Sequence, residues 1–207
     1  MLSVRTRAPL ASDVPLGTSF SIMRADARQL RRLTEQDADA FFHVRREGLE
    51  REPEAFTESA EEFQRGGIEL VRRNLAKSDK DNFVIGAFVN EELAGLAGFY
   101  RHKHTKTAHN GSIWGVYVSS KHRKKGLGRA MLAEVLRQVA SSPGIEQIFL
   151  RVGSANPAAK RLYESLGFQT CGFEPRVLKV RGKYLDEETM VLGRDKGQQR
   201  YGSYTDR

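Results

Sequence analysis

The sequence has a single cysteine, Cys171, in 207 residues. That excludes an intramolecular disulfide framework and a zinc site built from cysteines. It fits a reducing compartment, and the reading places the chain in the cytoplasm. No apolar run approaches the roughly 18 residues of a membrane span, so no segment reads as crossing a bilayer and no membrane partner is expected. Proline is scarce at 6 residues, while 39% of the residues are hydrophobic and 29% charged. Such a composition belongs to a globular chain, not to a disordered or collagen-like one. There is no internal repeat and no low-complexity tract. The length suits one domain with tails.

Acidic residues are also under-represented. Lys and Arg number 34 against 26 Asp and Glu, a net charge of +8. The excess is local. Lys121, Arg123, Lys124, Lys125 and Arg129 put five positive charges into nine residues that contain no acid. A focal patch of this kind suits one anionic ligand group and argues against a broad nucleic-acid face.

Residues 1–22 contain Pro9, Pro15 and Gly17 and lack hydrophobic periodicity, so they read as a disordered extension. A transit peptide, or a start at Met23, are the other readings of that stretch. Residues 23–193 form the expected domain, and residues 194–207 a flexible polar tail. Within the domain, a short strand at Gln29–Leu33 precedes a helix through Phe41, Val44, Arg45 and Leu49, with caps available at Thr34 and at Gln36–Asp37. Ala60–Ala76 reads as a second helix, weakened by Gly66 and Gly67. Phe83–Val89 and Leu93–Tyr100 read as a hairpin around residues 90–92, and Ile113–Val118 as the next strand. Gly126–Ala140 carries an apolar stripe of Leu127, Met131, Leu132, Val135, Leu136 and Val139. Ile148, Leu150 and Val152 alternate as a strand. Asn156 and Pro157 then open a helix that Gly167 closes. Phe168–Phe173 and Leu185–Leu192 are the last strands. The order predicts an α/β (α+β) fold, a mixed sheet of about six to seven strands flanked by four main helices on both faces.

The strongest chemical signal is the strand Val116-Tyr117-Val118, the basic turn Arg123-Lys124-Lys125-Gly126-Leu127-Gly128-Arg129, and the helix that follows. A strand that runs through a glycine-bearing turn into a helix N-terminus exposes backbone N–H groups and the positive end of the helix dipole. Glycines let that backbone approach a phosphate, and Lys and Arg add charge-assisted bonds. The turn lacks the Gly-Lys-Ser/Thr of a Walker loop, and Met131 stands where a dinucleotide fingerprint needs its third glycine. The remaining pattern, R-x-x-G-x-G over residues 123–128, resembles the acetyl-CoA signature of the GNAT (Gcn5-related) N-acetyltransferases. A second segment, Asn156 through Phe168, is similar to the family's N-x-x-A-x-x-x-Y-x-x-x-G-F helix. Seven residues apart, Asn156 and Tyr163 would lie near one helix face, separated by about 10 Å along the axis. The resemblance covers residues 27–193 and is specific in the second half.

The resemblance implies an enzyme that moves an acetyl group from acetyl-CoA to a primary amine, on a small molecule or a peptide N-terminus, by direct transfer in a ternary complex. It implies acetyl-CoA as cosubstrate and no metal. The strand at Ile113–Val118 would pair with the pantetheine through Val116, Tyr117 and Val118, with an amide near Val118 polarising the acetyl carbonyl. Arg123, Lys124, Lys125, Gly126, Leu127, Gly128 and Arg129 would hold the pyrophosphate, and Asn156 the pantetheine. Tyr163 would protonate the departing thiolate. His109 would be the general base, with His102 and His104 as alternatives. Glu52 and Glu54 would face the acceptor pocket, and Trp114 would border its tunnel. Cys171 receives no role, nor do Glu174-Pro175-Arg176 and Asp186-Glu187-Glu188. Relatives commonly dimerise, which leaves room for a homodimer. Two other readings stay open: a non-catalytic acyl-CoA-binding regulatory domain, and a basic nucleic-acid-binding module.

Overall fold

The computed structural model describes residues 27–193. The expected extension 1–22, residues 23–26 and the tail 194–207 lie outside the described residues. The chain forms β1 (Arg28–Arg32), α1 (Ala38–Arg51), α2 (Ala60–Ala76), β2 (Asn82–Val89), β3 (Glu92–Arg101), β4 (Asn110–Val118), α3 (Leu127–Ala140), β5 (Gln147–Gly153), α4 (Pro157–Glu164), β6 (Gln169–Val180) and β7 (Lys183–Gly193). The seven strands make one sheet in the order β1-β2-β3-β4-β5-β7-β6. Only β4 and β5 run parallel; the other pairs are antiparallel. The fold is the expected mixed α/β sheet with four helices.

The period of two along the strands divides the core between the two faces. Phe83, Ile85, Ala87 and Val89 of β2 join Ala97 and Phe99 of β3 under α3 and α4. Val84 and Phe88 of β2 join Leu93 and Leu96 on the opposite face, under α1 and α2. In α3, Met131, Leu132, Val135 and Val139 are fully buried. Each such side chain contributes about 1.5–3 kcal/mol of burial free energy. α2 starts with a reciprocal cap: Ser59 Oγ accepts from the Glu62 amide at 3.1 Å, and a Glu62 carboxylate oxygen accepts from the Ser59 amide at 2.9 Å. Gly67, at φ 70°, breaks the helical path inside α2, where the glycine pair had weakened the sequence pattern.

Two features of the sheet shape the site. β4 carries an extra residue opposite β3, between the pairs Leu96↔Tyr117 and Gly98↔Trp114, and Gly115 takes φ 65° there. This is a bulge that bends the strand and re-aims its side chains. β4 and β5 pair only from Asn110 to Ser112 and from Gln147 to Phe149. Beyond Ser112 the two strands diverge, and a cleft opens between them.

The β6–β7 hairpin runs further than its apolar residues suggest. The expected strand ends at Phe173, but β6 continues through Glu174-Pro175-Arg176 as the edge strand, with a register break between Glu174 and Leu178 and Arg176 at φ 55°. An edge strand tolerates a proline at such a break because the missing N–H has no ladder partner to lose.

Candidate active site

The basic turn and α3 come first. Gly126 caps α3 at φ 79° with no side-chain cap bond, and the first intrahelical bond runs from the Ala130 amide to the Gly126 carbonyl at 3.0 Å. The amides of Leu127, Gly128 and Arg129 therefore have no intrahelical acceptor. A Cβ added to Gly126 would meet nothing within 4 Å, so the turn opens outward at that point. Gly128 sits close under α4: a Cβ there would be 3.4 Å from Leu162 Cδ2 and 3.8 Å from Val118 Cγ2.

The side chains of the turn are less free than their charges suggest. Lys121 pairs with Glu92. Arg123 donates to Glu52 Oε1 at 2.8 Å and to the Val118 carbonyl at 3.0 Å. Arg129 turns to the end of α4, where Nη1 reaches Ser165 Oγ at 2.6 Å. Lys124, at φ 60°, and Lys125 remain exposed on the turn, and the Lys125 carbonyl accepts from Arg28 at 3.1 Å. Lys121 and Arg123 are thus matched by carboxylates from elsewhere in the chain, so the patch is weaker than its sequence implies. Glu47 of α1 anchors the approach to the turn, accepting from Ser119 Oγ at 3.0 Å and from the Tyr117 hydroxyl at 3.1 Å.

The cleft between β4 and β5 encloses about 540 Å³. Glu52, Glu54, Trp114, Val116, Asn156 and Tyr163 are among its walls. Alternate backbone groups of residues 113–118 face this opening instead of a neighbouring strand. Val116 and Val118 pack their side chains toward α3 and α4. Tyr117 does not join them: its ring is buried on the α1 face, so only its backbone is available to a ligand. Burial, with Glu47 beside it, pushes its hydroxyl above the usual range. Asn156 caps α4, its Oδ1 accepting from the Ala159 amide at 3.0 Å. The amide donors of the same side chain are the end left to address a ligand.

Tyr163 projects from α4 into the cleft wall and packs edge-on to Phe168, ring centroids 6.2 Å apart. Burial pushes its phenol up to about 12. The group is therefore held protonated at neutral pH, as a proton donor must be.

The three histidines separate. The His109 carbonyl accepts from the Glu146 amide at 2.7 Å, which places this residue at the closed end of the β4–β5 pair. Val116 lies seven positions further along the strand, about 23 Å at the usual rise. The structure does not bring His109 to Tyr163. His104 opens a short exposed turn at 105–107. Only His102 borders a nearby cavity, with Nε2 2.9 Å from Ser112 Oγ.

That cavity lies on the α1/α2 face, where residues 53–59 pass over β5. It encloses about 570 Å³ and shares Phe56, Ile113, Trp114, Gly115 and Arg151 with the cleft. Trp114 lies flat over Gly98, where a Cβ would be 2.2 Å from its Cε2. Arg45 of α1 and Glu187 of β7 both line the cavity. Neither received a role from the sequence: Arg45 was placed on the first helix, and Glu187 stood in the acidic triplet Asp186-Glu187-Glu188. The available signal for Arg45 was a charged residue at an inward position between Phe41 and Leu49. Burial pushes the Glu187 carboxyl up, Arg151 opposing and Glu174 adding to the shift.

The acetyltransferase (GNAT) family model matches residues 32–168. The chain belongs to that family. GNAT enzymes use acetyl-CoA, and the uncapped α3 terminus and the adjoining cleft are the donor set and the space such a ligand needs. Among curated relatives, the mycothiol acetyltransferase of Thermobispora bispora is 40% identical over 88 residues, 40% of this chain and 30% of that protein. The chain thus spans less than a third of that relative's length. The spermidine N(1)-acetyltransferase of Vibrio cholerae is 24% identical over 60% of this chain and 69% of that protein. Among solved structures, a GNAT protein from Kribbella flavida has a TM-score of 0.70 at 22% identity, covering 81% of this chain and 98% of that one. The acetyltransferase yncA from Salmonella typhimurium, solved with acetyl-CoA, has a TM-score of 0.68 at 22% identity, covering 82% and 95%. Both are likenesses of fold. The family model ends at Phe168, so β6 and β7 lie outside it, including Glu187 and Thr189 of β7, which line the cavity on the α1/α2 face. Among the described residues, no group of three or more His, Cys, Asp or Glu could hold a metal ion, and no helix is long and apolar enough to cross a membrane.

Proposed function

We propose that this protein is an N-acetyltransferase that moves the acetyl group of acetyl-CoA to a primary amine, in the cytoplasm, by direct transfer in a ternary complex. The observation that carries this reading is an adjacency. The uncapped N-terminus of α3, with Gly126 in the left-handed region and Gly128 beside Val118, lies at the end of β4, and Val116 of the same strand walls a cleft together with Asn156 and a protonated, buried Tyr163. Lys124 and Lys125, with the amides of Leu127, Gly128 and Arg129, would hold the pyrophosphate. The open edge of β4 at Val116 and Val118 would align the pantetheine as a strand aligns its neighbour, and Asn156 would donate to it. When bound, acetyl-CoA supplies the activated acetyl group. An amide at the end of β4 would orient the acetyl carbonyl. Tyr163 would hold the proton that the departing sulfur needs. The substrate named for the Vibrio cholerae relative, spermidine, carries amines. The non-catalytic alternative makes no use of a phenol kept protonated in the cleft wall.

The test is product formation. Purified protein is incubated with acetyl-CoA and a panel of amines covering amino acids, polyamines and peptides with free N-termini, with N-acetylated product read by mass spectrometry. An acetylated amine that appears with enzyme and not without it is expected. Binding of acetyl-CoA with no product from any amine class would favour the regulatory alternative.

A further inference from the structure

The cavity on the α1/α2 face contains two buried polar atoms without a hydrogen-bond partner, Arg45 Nη1 and Glu187 Oε2. Their side chains are 8% and 7% exposed. Both residues line the same 570 Å³ space. The other ends of their neighbours are occupied. Arg45 Nη2 is held by Glu58 at 3.2 Å, while Nη1 points at the bulge, 3.5 Å from the position a Cβ would take on Gly115. Arg151 gives Nη2 to Glu174 at 2.9 Å, and its Nη1 stays 3.9 Å from Glu187 Oε2, beyond hydrogen-bonding distance. The charged lining is Arg45 and Arg151 against Glu58 and Glu187, a balanced set.

A buried donor and a buried acceptor left open in one cavity are each costly, and a ligand that completes both removes both penalties. The requirement is specific. A plain amine would satisfy Glu187 and leave Arg45 Nη1 without an acceptor. A diamine would bring a second cation toward that guanidinium. A ligand with one cationic and one anionic group completes the set without disturbing the charge balance. Resting on the acetyltransferase reading above, we propose that this cavity is the acceptor site and that it selects a zwitterionic amine of the α-amino acid type. Arg45 Nη1 donates to the carboxylate, and Glu187 Oε2 accepts from the ammonium.

Glu187 then takes one proton from the ammonium nitrogen, becoming the carboxylic acid and leaving the neutral amine that direct transfer requires. The proton passes on to solvent. The charged and titratable groups around Glu187 are Arg151 on β5, Glu174 on β6, Arg45 on α1, Glu58 between α1 and α2, and His102 after β3. The place in the acidic triplet Asp186-Glu187-Glu188 explains the division of labour. Glu187 faces the cavity, whereas Glu188 points to the other side, where Lys160 of α4 holds it at 2.7 Å.

The test uses calorimetry on the full chain saturated with CoA. The twenty standard L-amino acids are titrated, and each that binds is compared with its α-amide and its decarboxylated amine. At least one acid is expected to bind roughly 10- to 100-fold more tightly than both analogues, as loss of a charge-assisted bond implies. Arg45→Gln should bring the acid down to the affinity of its amide. Glu187→Gln should weaken acid and amide together. Because Arg45 is buried in α1, Arg45→Lys serves as a second variant that keeps the charge and part of the preference, with thermal melts reporting the fold of all three. Amides or plain amines that bind as well as the acids would overturn the proposal, as would no acid binding at all. Acetyl-CoA titrated into the apo protein separates the two levels. If it binds and the acids are not preferred, only the acceptor assignment fails; if it does not bind, the acetyltransferase reading fails as well.

Discussion

Tyr163→Phe separates the phenol's chemistry from its packing, and the two consequences can be measured independently. The ring stays in the wall beside Phe168, so the variant keeps the fold. Burial holds the phenol at about 12 instead of the usual 10. Ionising it is therefore harder in the folded protein than in the unfolded chain, and the folded state loses stability relative to the unfolded one as pH rises from 10 through 12. At 1.36 kcal/mol per tenfold, the loss is about 1.4 kcal/mol at pH 11 and approaches about 2.7 kcal/mol above pH 12. The variant has no phenol at this position and escapes that loss. Urea unfolding followed by circular dichroism at pH 7 and pH 11 should show the wild-type-minus-variant difference shifting by about 1.4 kcal/mol in favour of the variant. At neutral pH the same substitution should lower kcat by about 100-fold or more, the usual range for loss of a positioned proton donor, while acetyl-CoA affinity is kept. A stability difference that is the same at both pH values would refute the buried phenol. Turnover within twofold of wild type would refute its role as proton donor.

Other substitutions probe the supports of the site. Asn156→Ala removes the cap on the Ala159 amide and should cost about 1 kcal/mol in denaturant unfolding, together with weaker acetyl-CoA binding. Gly98→Ala sets a Cβ 2.2 Å from Trp114, so the indole must move; a loss of about 1–3 kcal/mol and a shifted tryptophan emission are expected, and unchanged emission would count against the packing described. Glu52→Gln releases Arg123 from a half-exposed pair, and stability should change by less than about 1 kcal/mol, with acetyl-CoA binding slightly tighter at low salt as the turn regains charge.

Local patterns made the frame of the protein legible. The stripe of α3, the Asn90-Glu91 hairpin turn and the Asn156-Pro157 helix start each depend on residues close together in sequence. Gly126 was readable as part of the glycine-bearing basic turn that runs into α3, though not as its left-handed cap. What could not be read depends on pairing between distant segments. Glu52 and Glu92 neutralise cations of the turn from far along the chain, so its net charge could not be judged from the loop alone. The bulge at Gly115 and the divergence of β4 from β5 are properties of the assembled sheet. The distance of His109 from the cleft follows from the same divergence, since the paired end of β4 is the end away from the ligand. Arg45 and Glu187 share a cavity only because β7 inserts between β5 and β6. Pro175 concealed the continuation of β6 because a proline inside a strand is tolerated only at an edge, and edge position is a fact of topology.

The central claim is that the α3 terminus and the β4–β5 cleft form an acetyl-CoA site. Calorimetric titration of acetyl-CoA into the wild type and into Gly126→Glu tests it most directly. The substitution points a carboxylate from the open face of the turn toward the position of the phosphates and strains a residue held at φ 79°. Micromolar binding by the wild type, lost in a variant that still melts cooperatively, is the predicted result. A wild type that does not bind at millimolar acetyl-CoA, or a variant that binds as well as the wild type, would contradict it.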